Sequence, residues 1–321
     1  MQTSPVVEEI LQLPLLAGWP QAADLLQRAG SGPRPDWDLP AVACVAVGGE
    51  VALANPGRAA IACLQLSIIL VDDLLDDDPR GEYRRIGAGA AANLALALEA
   101  SAHQFVRDAA VPRERQLLIL DRLSQMALQT AYGQSLDSQP AAATEATYWA
   151  VVAAKSTPFY GTALCVGALL GGGTPQVADQ MYALGTLLGE IVQVHDDLTD
   201  AFQTPAGPDW LQARLNLALL YARLADYPAR ARFLAIQSEV SRPERLSEAQ
   251  RLLIQSGAVS YCLYHLIQRY RQATHLLGAL ALPNPEPVWQ LLVRQMAPIV
   301  ALLQRHNIPL PAELAAKDLL W

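Results

Sequence analysis

Twice along this chain a strongly apolar stretch of helical character ends in aspartates at the same spacing, and that repetition constrains the fold more than any other feature. Asp72, Asp73 and Asp76, followed at once by Asp77 and Asp78, close a stretch that opens near Arg58; Asp196, Asp197 and Asp200 close one that opens near Pro175. With 3.6 residues per helical turn, members four apart lie roughly 40° from each other on one face, and the intervening aspartate lies beside them. Negative charge at a helix C-terminus opposes the macrodipole, and like charges four apart repel. Solvated acidic helix ends are the plainer explanation. Two such triplets in a chain of this aspartate content are nonetheless a coincidence of roughly one in several hundred, positions being treated as independent. The pattern asks for two helices that present facing carboxylates, with Gln193 one turn before the second cluster on the same face.

The rest of the chain is punctuated as helices, and period-two strand patterns are hard to find. Asn55-Pro56-Gly57 precedes a run expected to be helical to about Asp76, and Pro79 and Gly81 break it. Apolar-periodic segments follow over about 86–109 and 112–137. After an Ala/Thr-rich turn at Gln139 to Thr144, one helix is expected to run to about Leu170 with a kink at Pro158, ended by Gly171-Gly172-Gly173. The next spans about 175–201 and stops at Pro205, Gly207 and Pro208; three or four more complete the chain. Gly87-Ala88-Gly89 follows no strand and is not a dinucleotide loop. The fold class is therefore all-α. With no linker or low-complexity stretch, a single domain over 1–321 is expected, 1–33 forming N-terminal helices and a loop and 34–300 the core.

At 52 % hydrophobic and only 17 % charged residues, the chain either spans a membrane or buries its helices in a large core. The longest candidate span, 59–71, is interrupted by Gln65 and Ser67 and falls short of the roughly 20 apolar residues a span needs. Buried helices, and no membrane span, are the expectation. No basic region precedes an apolar stretch at the N-terminus, so no export signal is expected, and the cytoplasm is the expected location. Cys44, Cys63, Cys165 and Cys262 show no metal-ligand spacing and read as small core residues. The net charge of −8, without a basic stripe interleaved with aromatics, argues against nucleic acid. Lysine is confined to Lys155 and Lys317, so phosphate recognition must be local or metal-mediated. Carboxylates without neighbouring His or Cys pairs suit a hard cation, and Mg²⁺ characteristically combines one or two carboxylates with substrate phosphate and water.

These residues resemble the trans-isoprenyl diphosphate synthase (polyprenyl synthetase) family from about Arg34 to the helix near Leu280. Arg34-Pro35 resembles the end of the family's Gly-Lys-x-x-Arg-Pro motif, with Gly48-Gly49 at the usual interval. Gln65, seven residues before Asp72, stands where the family places a His or Gln on isopentenyl diphosphate. Asp72-Asp73-Leu74-Leu75-Asp76 resembles the first metal motif and Arg80-Gly81 the end of the Arg-Arg-Gly that follows it. Gly133-Gln134-Ser135-Leu136-Asp137 is similar to Gly-Gln-x-Leu-Asp, and Lys155-Ser156 stands in place of Lys-Thr. Gln193 through Asp200 resembles the second metal motif with its preceding Gln. The chain departs from the pattern at Ser31, in place of the first motif's Lys, at Pro79, in place of an Arg, and over 201–215, which holds no Lys. Asp209 and Arg214 remain there as remnants.

The resemblance implies the isoprenoid synthase fold, long antiparallel helices around a central apolar cavity, and usually a homodimer. It implies Mg²⁺ on Asp72, Asp73, Asp76, Asp196, Asp197 and Asp200, binding an allylic prenyl diphosphate that Lys155 and Gln193 also contact. Isopentenyl diphosphate, positioned by Arg34, Gln65 and Arg80, would attack the resulting cation, with the released diphosphate as base. No side-chain nucleophile is then expected. The family's chain-length floor falls at Ser67 and Ile68, neither aromatic, which implies geranylgeranyl or longer products. Two other readings remain: a class I terpene synthase that cyclises or quenches the cation alone, and a non-catalytic partner subunit of a heteromeric synthase. Retention of all six aspartates speaks against the second.

Overall fold

The computed structural model describes residues 4–138 and 143–309, and every regular element among them is helical. Short helices α1 (Pro5–Ile10), α2 (Pro14–Ala17), α3 (Pro20–Ala29) and α4 (Leu39–Ala46) lead to the long α5 (Asn55–Leu75). Then come α6 (Tyr83–Ile86), α7 (Ala88–Arg107), α8 (Arg113–Asp137), α9 (Glu145–Lys155), α10 (Thr157–Leu170) and α11 (Pro175–Phe202). The C-terminal part adds α12 (Pro208–Leu211), α13 (Leu217–Leu224), α14 (Arg230–Ile236), α15 (Pro243–Gln255), α16 (Ala258–Ala279) and α17 (Glu286–Arg305). Among the described residues six α-helices thus follow α11 where three or four were expected, because elements as short as α12 and α14 show no readable period.

Local chemistry accounts for several boundaries. Thr144 opens α9 by accepting the Thr147 N–H on its hydroxyl at 3.2 Å, and residues 139–142 of the expected turn lie outside the described residues. Thr174 caps α11 in the same way, with Pro175 as its first residue. The single helix expected up to Leu170 is two helices that part at Ser156. Pro158, which has no N–H to offer the preceding turn, sits in the first turn of α10, where none is needed.

α11 organises the interior. Its N-terminal half, Ala178 to Leu188, packs into one apolar core with α4, α5, α7 and α10. Its C-terminal half, Ile191 to Phe202, packs into a second with α13, α15, α16 and α17. α10 lies against both α11 and α5. Gly185 makes that approach close, since a Cβ there would stand 2.4 Å from the Tyr160 carbonyl oxygen. All four cysteines are free and buried, as their apolar contexts suggested. Among the described residues no helix is long and apolar enough to cross a membrane.

Candidate active site

α5 delivers its aspartates into a fixed turn. Asp77 adopts a left-handed conformation at φ 51°, which Asp tolerates better than most residues, and the Asp78 N–H closes on the Asp73 carbonyl at 3.0 Å. Asp78 accepts the Arg80 backbone N–H at 2.7 Å and Arg80 Nη2 at 2.8 Å. Cations answer Asp72 and Asp76. Lys155 Nζ lies 3.0 Å from Asp72 Oδ1 and 2.7 Å from Asp137 Oδ2. Gly133 permits this, because a Cβ there would meet the Lys155 backbone nitrogen at 2.4 Å and push α9 away from α8. Burial opposes the charge on Lys155, but Asp72 and Asp137 outweigh it and the ammonium pKa is raised. Arg214 Nη1 donates to Asp76 Oδ2 at 2.7 Å. Burial pushes Asp73 up to about 6, with Asp78 and Asp72 adding to the rise and Arg80 opposing it.

The second cluster, on α11, is held differently. Asp197 is only 2 % exposed. Its Oδ2 accepts the Leu217 N–H at 2.7 Å and its Oδ1 accepts Gln193 Nε2 at 2.9 Å. Asn216 Nδ2 donates to the Asp197 carbonyl at 2.8 Å, and Asn216 Oδ1 caps α13 at the Leu219 N–H. Both carboxylate oxygens of Asp197 are thus engaged by neutral donors, which tie the chain after α11 to α13. Asp196 reaches solvent in the cleft, its side chain 58 % exposed. The surrounding protein, then Asp200 and Asp36, push its pKa up to about 7. Burial takes Asp197 to about 7 despite its donors, and takes Asp200, with help from Asp209, to about 6. The charges of Arg80 and Arg214 act on Asp200 as well as on the first cluster, so the two clusters face one cleft. Among the described residues no three metal-ligating groups are gathered at a single point.

Two pockets open beside the aspartates. One, of about 110 Å³, is lined by Ser67, Ile68, Val71 and Asp72 of α5, Glu99 of α7, and Thr130 and Gln134 of α8. The other, of about 260 Å³, is lined by Arg28, Arg34, Leu66, Asp73, Arg80 and Glu82 among others. Consecutive aspartates thus serve different pockets, as residues roughly 100° apart on a helix can.

A model of the polyprenyl synthetase family matches residues 24–252. The chain belongs to the polyprenyl synthetase family. It is 26 % identical over 275 residues to a short chain isoprenyl diphosphate synthase of Methanothermobacter thermautotrophicus, the match covering 80 % of this chain and 82 % of that one. A geranylgeranyl diphosphate synthase of Methanosarcina mazei is 29 % identical over 167 residues, which spans 50 % of this chain and about half, 52 %, of that one. Among solved structures, a geranylgeranyl pyrophosphate synthetase from the archaeon Geoglobus acetivorans superposes with TM-score 0.76 at 20 % identity, over 91 % of this chain and 94 % of the other. A geranylgeranyl pyrophosphate synthase from Corynebacterium glutamicum gives TM-score 0.75 at 21 % identity, over 90 % and 89 %. The fold is the all-α isoprenoid synthase fold.

Within this polyprenyl synthetase, Arg34 and Arg80 share one pocket, and Ser67 and Ile68 line the other next to Asp72. Gln65 does not join them. Its Oε1 accepts Trp37 Nε1 at 2.7 Å and its Nε2 donates to Asp36 Oδ2 at 3.1 Å, so its amide steadies Asp36. Gln193 is likewise engaged at both ends, accepting Ser156 Oγ at 2.6 Å and donating to Asp197. Ser67 donates to the Ala95 carbonyl at 2.9 Å, joining α5 to α7. Three participants escaped the sequence reading: Asp137 as second partner of Lys155, Asp36 beside Asp196, and Arg28 in the arginine pocket. Asp137 carried a signal, since it closes the Gly-Gln-x-Leu-Asp motif; Asp36 and Arg28 carried none.

Proposed function

We propose that this enzyme is a Mg²⁺-dependent prenyltransferase that ionises an allylic prenyl diphosphate and condenses it with isopentenyl diphosphate to a longer prenyl diphosphate. The observation that carries the reading is the division of labour at Asp72 and Asp73. Asp72 heads a mainly apolar pocket suited to a prenyl chain, and Asp73 borders a pocket with arginines suited to a second diphosphate. The names of the synthases it resembles, a short chain and a geranylgeranyl diphosphate synthase, support the same class.

The donor set fits a hard divalent cation: carboxylate oxygens on both sides of one cleft, with no thiol pair beside them. Asp72, Asp73, Asp76, Asp196 and Asp200 would hold it, with Asp197 as their internal brace. Bound Mg²⁺ supplies Lewis acidity to the leaving diphosphate oxygens. Lys155, already between Asp72 and Asp137, adds a fixed positive charge where leaving-group charge grows, and such prearranged charge stabilises most where water is excluded. Arg34 and Arg80 orient isopentenyl diphosphate so that its double bond reaches the cation. No side chain attacks covalently, and the released diphosphate takes the proton. Ser67 and Ile68, without an aromatic ring, let the chain extend to geranylgeranyl length or beyond.

The reading takes 1–321 as one cytoplasmic domain, supported by α11 running through both cores. It also takes the active form as a homodimer. Leu96 on α7 and Leu128 and Tyr132 on α8 are 66 %, 73 % and 61 % exposed, an apolar face that a second copy would cover. Purified enzyme given Mg²⁺ and geranyl, farnesyl or geranylgeranyl diphosphate, with and without isopentenyl diphosphate, tests the function by mass spectrometry of the products. Elongation only with isopentenyl diphosphate is expected. Hydrocarbon or alcohol from the allylic substrate alone, with no elongation, would replace the reading with a cyclase.

A further inference from the structure

The family's first motif places a lysine at the position of Ser31, and the structure gives this residue another task. Ser31 donates its hydroxyl at 2.7 Å and its backbone N–H at 3.2 Å to the Arg28 carbonyl, closing the C-terminal end of α3. A positive charge is available one turn earlier. Arg28 lies in the last turn of α3, where a cation complements the helix dipole, and lines the same pocket of about 260 Å³ as Arg34 and Arg80.

We propose that Arg28 has taken over the phosphate-anchoring task vacated at position 31, and that it forms with Arg34 and Arg80 the diphosphate subsite for isopentenyl diphosphate. This rests on the prenyltransferase reading above. Three guanidiniums match the roughly three negative charges of a diphosphate near neutral pH, and charge-assisted contacts of this kind are the strong ones. The pocket also holds its own counter-ion. Glu82, with a side chain only 8 % exposed, takes Arg28 Nη2 at 2.8 Å and Arg85 Nη2 at 2.6 Å. Asp24 takes Arg28 Nε at 3.1 Å. Glu82 thus holds the Arg28 head at the pocket wall. The arginine is 47 % exposed, which leaves it free to turn its remaining donors towards an incoming phosphate.

Calorimetric titration of the full chain with isopentenyl diphosphate tests this without requiring turnover. Arg28→Ala is expected to weaken binding tenfold or more, and Arg28→Lys to recover part of the loss. Arg28→Gln, which keeps a hydrogen-bonding group for Glu82, should lose affinity as Arg28→Ala does and keeps the test open if the alanine variant fails to fold. Glu82→Gln removes the internal counter-ion and should leave binding unchanged or tighter. Geranyl diphosphate binding should stay within twofold in all four. Unchanged affinity in Arg28→Ala beside a clear loss in Arg34→Ala would overturn the proposal, as would a loss in Glu82→Gln equal to that in Arg28→Ala. Wild-type chain that binds isopentenyl diphosphate but never elongates a substrate would sink the prenyltransferase reading and leave the anchor standing. No binding at all would sink both.

Discussion

The two aspartate clusters share a spacing and a position near the C-terminal end of a long helix, but they are held by different chemistry. The α5 cluster meets cations directly, Lys155 on Asp72 and Arg214 on Asp76. The α11 cluster has its buried member fixed by neutral donors, the Leu217 N–H and the Gln193 amide, and Arg80 and Arg214 act on Asp200 only from a distance. The consequence is electrostatic. A divalent cation arriving at α5 competes with fixed ammonium and guanidinium groups, while at α11 it competes with protons, because Asp196 stands at about 7 and Asp200 at about 6. Identical sequence spacing therefore produces one charge-compensated site and one charge-deficient site.

The largest expected effect asks whether both sites are needed. Asp72→Asn and Asp196→Asn each remove a charged ligand without changing size, and turnover should fall by orders of magnitude in both while the fold persists. Loss in only one would reduce the comparison to a working site and a decorative one; near wild-type rates in both, or full activity in excess EDTA, would end the metal assignment. Next in size is Arg80→Ala, which removes a charge-assisted phosphate contact worth about 1.5 to 3 kcal/mol. It should lower kcat/KM for isopentenyl diphosphate roughly tenfold to a hundredfold and leave the allylic KM nearly unchanged. Equal losses for both substrates would place Arg80 with the clusters instead of the second pocket.

A third test uses the helices one turn before the aspartates. Ser67 on α5 lines a pocket, whereas Ile191 at the corresponding place on α11 is fully buried in core. Ser67→Phe should shorten the products. Ile191→Phe should instead overpack the core at a cost of about 1 to 3 kcal/mol without redirecting chain length. An unchanged product distribution in Ser67→Phe would put the pocket floor elsewhere. The smallest effect concerns pH. Asp196, Asp197, Asp73 and Asp200 have folded-state pKa values of about 7, 7, 6 and 6, above the usual 3.8. The native state then binds more protons than the unfolded chain between those limits, so this contribution to stability falls as pH rises through the window. In metal-free protein Asp196→Asn should raise Tm by more at pH 8 than at pH 5. The lowered pKa of His195, His265 and His306, which works in the opposite sense, largely cancels between variant and wild type. Equal Tm shifts at both pH values would contradict the charge-deficient description of α11.

Helix type and most boundaries were legible in the sequence because their causes are local. Pro56, Pro175 and the threonines before α9 and α11 act within a turn or two, and apolar periodicity shows directly which face is buried. The two aspartate spacings were equally plain, and with them the pairing of helices that defines the site. The family motifs pointed to Lys155, which lies against Asp72, and to Arg34 and Arg80, which line one pocket with Asp73.

Partner choice was decided by the tertiary structure. Asp76 and Arg214 are 138 residues apart, and only the packing of the chain after α11 makes them neighbours. Asp197 looks identical to Asp73 in its motif, yet α13 brings the Leu217 backbone N–H against its carboxylate, a contact Asp73 does not have. Gln65 is drawn to Asp36 and Trp37, and Arg28 to the pocket it shares with Arg34 and Arg80, by how α3, the loop after it and α5 meet. A side chain's type and spacing state what it can bind; which neighbour satisfies it depends on burial and on contacts between distant segments, where an unpaired charge or donor costs most.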